Sequence, residues 1–259
     1  MKPLSKTLAV AALLAFARAA HATPSTTFWT PATTYVQPYL VPHVTYDSYV
    51  AEKGAFQNDY GLTMGVLPWD KLQGEVGFDL FYPGFTKDYF QLNAKLTVPE
   101  GVLGGAWAPG VSIGVANVGF KKDVSDYDLL HLTVGKTTPV GLLGVGGYYG
   151  AGSKTLWTGS DGKVNRAGFM ASWVSPDIVV NKPGLNKIVF LADVSTGKNW
   201  FGAVGGGIGL YFTPAIDVLT GPVYLLDKSL YTATPAYGTN FMWTVQLDVD
   251  ADLGWAKKS

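Results

Sequence analysis

The residues best equipped for chemistry stand near the end of the chain. In NFMWTVQLDVDADLGW, Asn240 to Trp255, three aspartates occupy every second position: Asp248, Asp250 and Asp252. Carboxylates this close suggest a calcium loop. Such a loop needs Gly directly after the third Asp and Glu at its twelfth position. Here Leu253 precedes Gly254, and the twelfth residue from Asp248 is Ser259. The run implies no metal, and nothing else in the chain calls for a cofactor.

Two further motifs suggest catalysis. GVSIG, Gly110 to Gly114, has the G-x-S-x-G form in which Ser112 would be a nucleophile at a sharp strand-to-helix turn. Val111, Ile113 and Val115 alternate with Ser112, Gly114 and Ala116, which reads as an uninterrupted strand. A base for Ser112 would have to come from His43 or His131, and neither lies in a recognisable Ser or Asp constellation. GKTT, Gly135 to Thr138, resembles the end of a phosphate-binding loop. The required Gly is replaced by Leu130, and Lys136 closes a strand instead of opening a helix.

The elements that must carry these residues follow from composition and periodicity. Charged residues make up 15% of the 259, against roughly 25% in soluble domains. Mean hydropathy is only +0.16, so apolar residues are spread along the chain and not blocked together. Residues 1–22 read as an export signal: Lys2 and Lys6, then LAVAALLAF, then Ala20-His21-Ala22 as a cleavage site. Removing Lys2, Lys6 and Arg18 leaves 16 basic against 19 acidic residues, a net charge of −3. That balance argues against nucleic acid as a partner. There is no cysteine, so no disulfide framework holds an exported fold together.

Period-2 alternation dominates after residue 40. In FQLNAKLTV, Phe90, Leu92, Ala94, Leu96 and Val98 alternate with Gln91, Asn93, Lys95 and Thr97; LQGEVGFDL and LLHLTVGK behave alike. About twelve such runs are present, each near the 9–11 residues of a tilted membrane strand. Every second connection carries proline: Pro68, Pro99 with Pro109, Pro139, Pro176 with Pro183, and Pro214. The others are richer in Lys, Asp, Ser and Gly. Two alternating turn classes are what an up-and-down barrel produces. The expectation is an all-β, antiparallel transmembrane barrel over 41–255, with a periplasmic lead-in over 23–40 and a tail over 256–259. The proline turns and both termini are assigned to the periplasm.

The hairpin DYGLTMGVLPWDKLQGEVGFDLFYP, Asp59 to Pro83, resembles the repeating hairpin of Gram-negative outer-membrane β-barrel proteins of the porin-like class. The resemblance spans roughly residues 35–255 and is architectural. It implies passive transport across the outer membrane, insertion into outer-membrane lipid and delivery by the outer-membrane assembly machinery. Such barrels usually end on an aromatic residue, whereas Trp255 here is followed by AKKS.

On that frame, Tyr60, Tyr82, Phe90 and Phe241 form one aromatic girdle and Trp173, Phe212 and Trp255 the other. The polar faces place Glu75, Asp79, Gln91, Asn93, Lys95, His131, Arg166, Asp193, Gln246, Asp248 and Asp250 along the lumen. The acidic excess favours cations or neutral polar solutes. Three functions stay open: a mildly cation-favouring channel for small hydrophilic solutes, a structural or plugged barrel, and a barrel enzyme such as a hydrolase or acyltransferase.

Overall fold

The computed structural model describes residues 26–52, 56–82, 89–232 and 238–254. The proposed signal, Trp255 and the tail lie outside them. The strands are β1 (Pro42–Ala51), β2 (Phe56–Gly65), β3 (Gln73–Tyr82), β4 (Phe90–Val98), β5 (Gly110–Val118) and β6 (Leu129–Thr138). They continue as β7 (Gly141–Gly150), β8 (Ala167–Val174), β9 (Ile178–Lys182), β10 (Leu185–Ser195), β11 (Ala203–Thr213), β12 (Ile216–Leu225) and β13 (Phe241–Asp250).

All neighbours are antiparallel, and the sheet closes on itself where β13 pairs with β1 and β10 with β11. Twelve staves form the wall. The thirteenth strand continues one of them: Asp193 pairs with Ser172 of β8, while Lys187 pairs with Val179 of β9, both opposite the β11 side of β10. Pro176 interrupts this stave because it has no N–H to give the ladder. Ser175 bridges the break, donating its N–H to Phe190 O and accepting the Phe190 N–H on its hydroxyl, both at 2.9 Å.

The proline connections all fall at the end where the chain enters β1 and leaves β13. The longer polar loops gather at the opposite end, so the alternation read from the sequence is structural. The wall carries its apolar residues outward: Val44, Leu80, Leu96, Ile113, Leu132, Val145 and Val245 are all exposed. Ten residues at about 3.3 Å each, tilted by about 40°, give a band near the roughly 25 Å of a membrane barrel. Tyr60, Tyr82 and Phe212 stand on this outer surface. Phe90 and Phe241 are half-buried there, stacked on Phe78 and tilted against Tyr224, and Trp173 donates its indole N–H to Val140 O.

Two features depart from the sequence reading. The described part of the expected lead-in, residues 26–40, does not hang below the barrel but runs through its interior. Pro31 and Pro38 interrupt it, and apart from the Leu40 N–H, which donates to Gly65 O at 2.9 Å, its backbone is held largely by wall side chains. The inner faces of β10–β12 are also largely apolar, with Asp193, Ser195 and Asp217 as the buried polar exceptions. Val189, Leu191, Leu219, Val223 and Leu225 pack there on Phe28 in a buried apolar core. A second core joins Ala32, Leu129, Tyr148, Trp157, Met170 and Phe201. Half the barrel is therefore filled.

Candidate functional site

The unfilled half is a cavity of about 390 Å³, bordered by β13 and β1–β6, by residues 26–31 and by the polar-loop end. Each wall residue arrives there through strand parity. Asp47 on β1 faces Asp59 on β2 directly across the ladder, and Asp79 on β3 faces Gly61 one inward position lower. Directly opposed side chains have Cβ atoms about 5 Å apart. Asp79 accepts a 2.6 Å hydrogen bond from the Asn93 amide. The Oδ1 atoms of Asp47 and Asp59 are buried and have no partner.

Toward the proline end the charges are paired. Lys95 stands 3.2 Å from Glu75, whose other oxygen accepts the Gln37 N–H at 2.8 Å. His43 lies between Asp250 at 2.7 Å and Asp248 at 3.5 Å, across the β1–β13 seam. Opposite Asp248, Asp217 of β12 is fully buried with both oxygens unpartnered. The alternating aspartates that suggested a metal loop are thus a histidine-bound pair at barrel closure. Asp252 caps the Gly254 N–H at 2.8 Å. Among the described residues no three His, Asp or Glu side chains converge on a metal position.

The cavity roof is aromatic. Tyr127, Trp200, Phe201 and Tyr231 reach it from the loops, with Tyr127 and Trp200 ring centres 4.5 Å apart. Tyr231, on the short helix α1 (Lys228–Thr232), donates its hydroxyl to Trp200 O. Asn199 fixes the loop by accepting the Phe201 and Gly202 N–H groups and donating to Tyr148 and Asn165. Asp227 ties two loops together through the Ser160 N–H and hydroxyl. Burial pushes the Asp227 carboxyl up, but those bonds, the Leu230 N–H and Lys198 outweigh it and hold it below the usual range.

Residues 26–40 form the remaining wall. One oxygen of Asp193 accepts the Thr27 hydroxyl at 2.5 Å and the N–H groups of Phe28, Trp29 and Thr30 at 2.7–3.0 Å. Three successive amides around one anion make a nest. Lower down, Ser172 donates to Ala32 O at 2.5 Å and Thr133 to Pro31 O at 3.3 Å. Inward glycines let the backbone approach: a Cβ on Gly144 would strike Ala32 O, and one on Gly65 would strike Gln37 O and Pro38 O.

Of the expected lumen residues, Glu75, Asp79, Gln91, Asn93, Lys95, His131, Gln246 and Asp248 border the cavity. Asp193 is consumed by the N-terminal segment and Asp250 by His43. Arg166 is a correction: β8 begins only at Ala167, so its guanidinium sits in the loop layer and donates to Gly150 O at 2.6 Å. Sequence reasoning named His43 without assigning its facing and missed Asp47, Tyr49 and Asp59 as lumen residues, although VTYDSYV already carries the alternation that points Asp47 and Tyr49 inward. Ser112 is fully buried within β5 and shares a 2.5 Å hydrogen bond with Thr97. Among the described residues neither His43 nor His131 is bonded to a serine. Lys136 pairs with Glu100 at 3.0 Å at the rim.

No family model matches the chain, and no curated protein matches it. Among solved structures, an outer membrane channel of Pseudomonas putida F1 is similar with a TM-score of 0.41 and 12% identity, over 85% of this chain and 98% of that one. OmpF of Salmonella typhi in complex with daunomycin is similar with a TM-score of 0.38 and 10% identity, over 81% of this chain and 96% of that one.

Proposed function

We propose that the protein is a porin-like channel of a Gram-negative outer membrane, passing small hydrophilic solutes with a mild preference for cations. The observation that carries this reading is the inversion of polarity across the wall. Valine, leucine and isoleucine face out from twelve staves, while Asp47, Asp59 and Asp79 face an internal cavity. A water-soluble barrel gains nothing from that arrangement; a barrel in lipid requires it. On this reading the chain is exported by a signal cleaved after Ala22, and the proline turns face the periplasm. Transport is diffusion with no chemical step. The unpaired carboxylates raise the local concentration of cations, and residues 26–40 narrow the passage.

Planar-bilayer recording of the refolded protein tests this. Discrete conductance steps with a reversal potential of cation sign are expected under a salt gradient. A silent bilayer would remove the channel reading, and an anion-sign reversal would remove the selectivity alone. The anchored segment favours a second reading, a plugged barrel. It is separated by deleting residues 26–38, which raises conductance several-fold if the segment constricts an open pore and turns silence into current if it is a plug.

A further inference from the structure

The cavity has two chemically distinct ends. One wall presents Asp47, Asp59 and Asp79, of which only Asp79 has a hydrogen-bond partner, the Asn93 amide. The roof presents Trp200, Phe201 and Tyr231, and Trp29 and Tyr49 close the side with their rings edge to face at 5.6 Å. Below them His131 borders the same space. Its side chain is 7% exposed, and its buried Nδ1 has no partner. Water alone would serve a polar tunnel, but it gives no reason for an aromatic roof over an acidic wall.

We propose that this cavity binds small amphiphilic ammonium compounds, with the cationic nitrogen at Asp47 and Asp59 and the apolar body beneath Trp200 and Tyr231. The proposal deepens the channel reading by naming its solute class. Each element of the chemistry is on hand. An ammonium group brings three donors to carboxylate oxygens that lack them. Its charge relieves the repulsion between two directly opposed aspartates, and aromatic faces within reach add cation–π attraction. A bare metal ion would find no convergent donor set among the described residues. The volume, about 390 Å³, lies in the range of small-molecule sites.

The test is equilibrium binding of 2-phenylethylammonium to the detergent-refolded full chain, followed by tryptophan fluorescence and titration calorimetry. 2-Phenylethanol serves as neutral isostere and methylammonium as a cation without a body. Saturable binding of 2-phenylethylammonium is expected, at least tenfold tighter than either control. Asp47→Asn with Asp59→Asn should weaken it tenfold or more without altering heat-modifiable gel mobility. If that double variant does not fold, Trp200→Leu should weaken binding about fivefold. Equal affinity for 2-phenylethanol or for methylammonium, or binding unchanged in the folded variant, overturns the proposal. Binding without conductance would sink the channel alone, and conductance without binding would sink the site alone.

Discussion

Asp193 and Trp29 are 164 positions apart in sequence, yet the Trp29 N–H lies 2.7 Å from the Asp193 carboxylate. That carboxylate also holds Thr27, Phe28 and Thr30. The contact fixes residues that no strand pairing restrains. Asp193→Ala should therefore release the segment and cost about 2–4 kcal/mol, since hydrogen bonds to a charged group contribute about 1.5–3 kcal/mol each and do not add fully. Limited proteolysis would show new cleavage within residues 26–40, and the urea midpoint would fall. A segment as protected as in the parent protein would show that Asp193 is not its anchor.

The wall was legible in the sequence, and the contents of the barrel were not. Strand β4 could be read directly because one face is apolar and the other polar, and the closing strand for the same reason. In the middle of β10 both faces are apolar: Ile188 and Phe190 point out while Val189 and Leu191 point in, and polar inward residues return only at Asp193 and Ser195. Alternation vanishes there, so the filled half gave no signal. Residues 26–40 lack both periods because prolines interrupt them. The available clue was negative: no charged residue occurs between Arg18 and Asp47, which suits a buried segment better than a solvated linker. The cavity was half legible. Glu75, Asp79 and Lys95 stood on clean strands, whereas Asp59 sat in a glycine-interrupted run whose facing was ambiguous.

Gly65 lies against the backbone of Gln37 and Pro38. Gly65→Val should displace the lower segment while leaving the strand pairing between β2 and β3 intact. Far-UV circular dichroism would stay unchanged, and proteolysis would open residues 31–40. Deleting residues 26–38 in the same background should restore the stability of the deletion alone, because the added side chain then has nothing to strike.

Lys95 and Glu75 are both buried, and removing one partner of such a pair strands the other charge. Lys95→Met should cost about 3–5 kcal/mol. The double variant Lys95→Met with Glu75→Gln should recover more than half of that. A double variant no better than the single one would show that the pair's other contacts, including the Gln37 N–H, carry the stability.

At the rim and in the loops the relevant groups are Glu100 and Asp227. Burial pushes the Glu100 carboxyl up, but the Thr137 hydroxyl, Lys136 and the Thr137 N–H outweigh it and hold it below the ordinary range. Asp227 is lowered by its Ser160 contacts. A carboxylate whose folded value is depressed stabilises the fold above its unfolded value, and that contribution is lost as pH falls through the folded one. Acidification below the ordinary carboxylate range should therefore loosen the loop joining β7 to β8 before the wall opens. Hydrogen exchange at Ser160 and Thr137 would report it. Asp227→Asn should remove most of the pH dependence at Ser160 while leaving Thr137 unchanged. A Ser160 protection factor that stays unchanged with pH in the parent protein would count against the tie.

His43 stands at the first inward position of β1, facing Asp250 across the seam that closes the barrel, with Asp248 one inward position above. The ladder between β1 and β13 joins the first and last strands of the chain and so closes the sheet. Asp217, opposite Asp248 on β12, is also buried and unpartnered. His43→Leu would take the imidazole from between Asp248 and Asp250, at a cost of about 3–5 kcal/mol. Its main effect should be kinetic: folding into lipid vesicles would slow, with unclosed barrel accumulating as the heat-insensitive gel species. Adding Asp248→Asn and Asp250→Asn to His43→Leu should restore closure by removing the charges that histidine holds. Failure of that rescue would mean that imidazole packing, and not charge pairing, closes the seam.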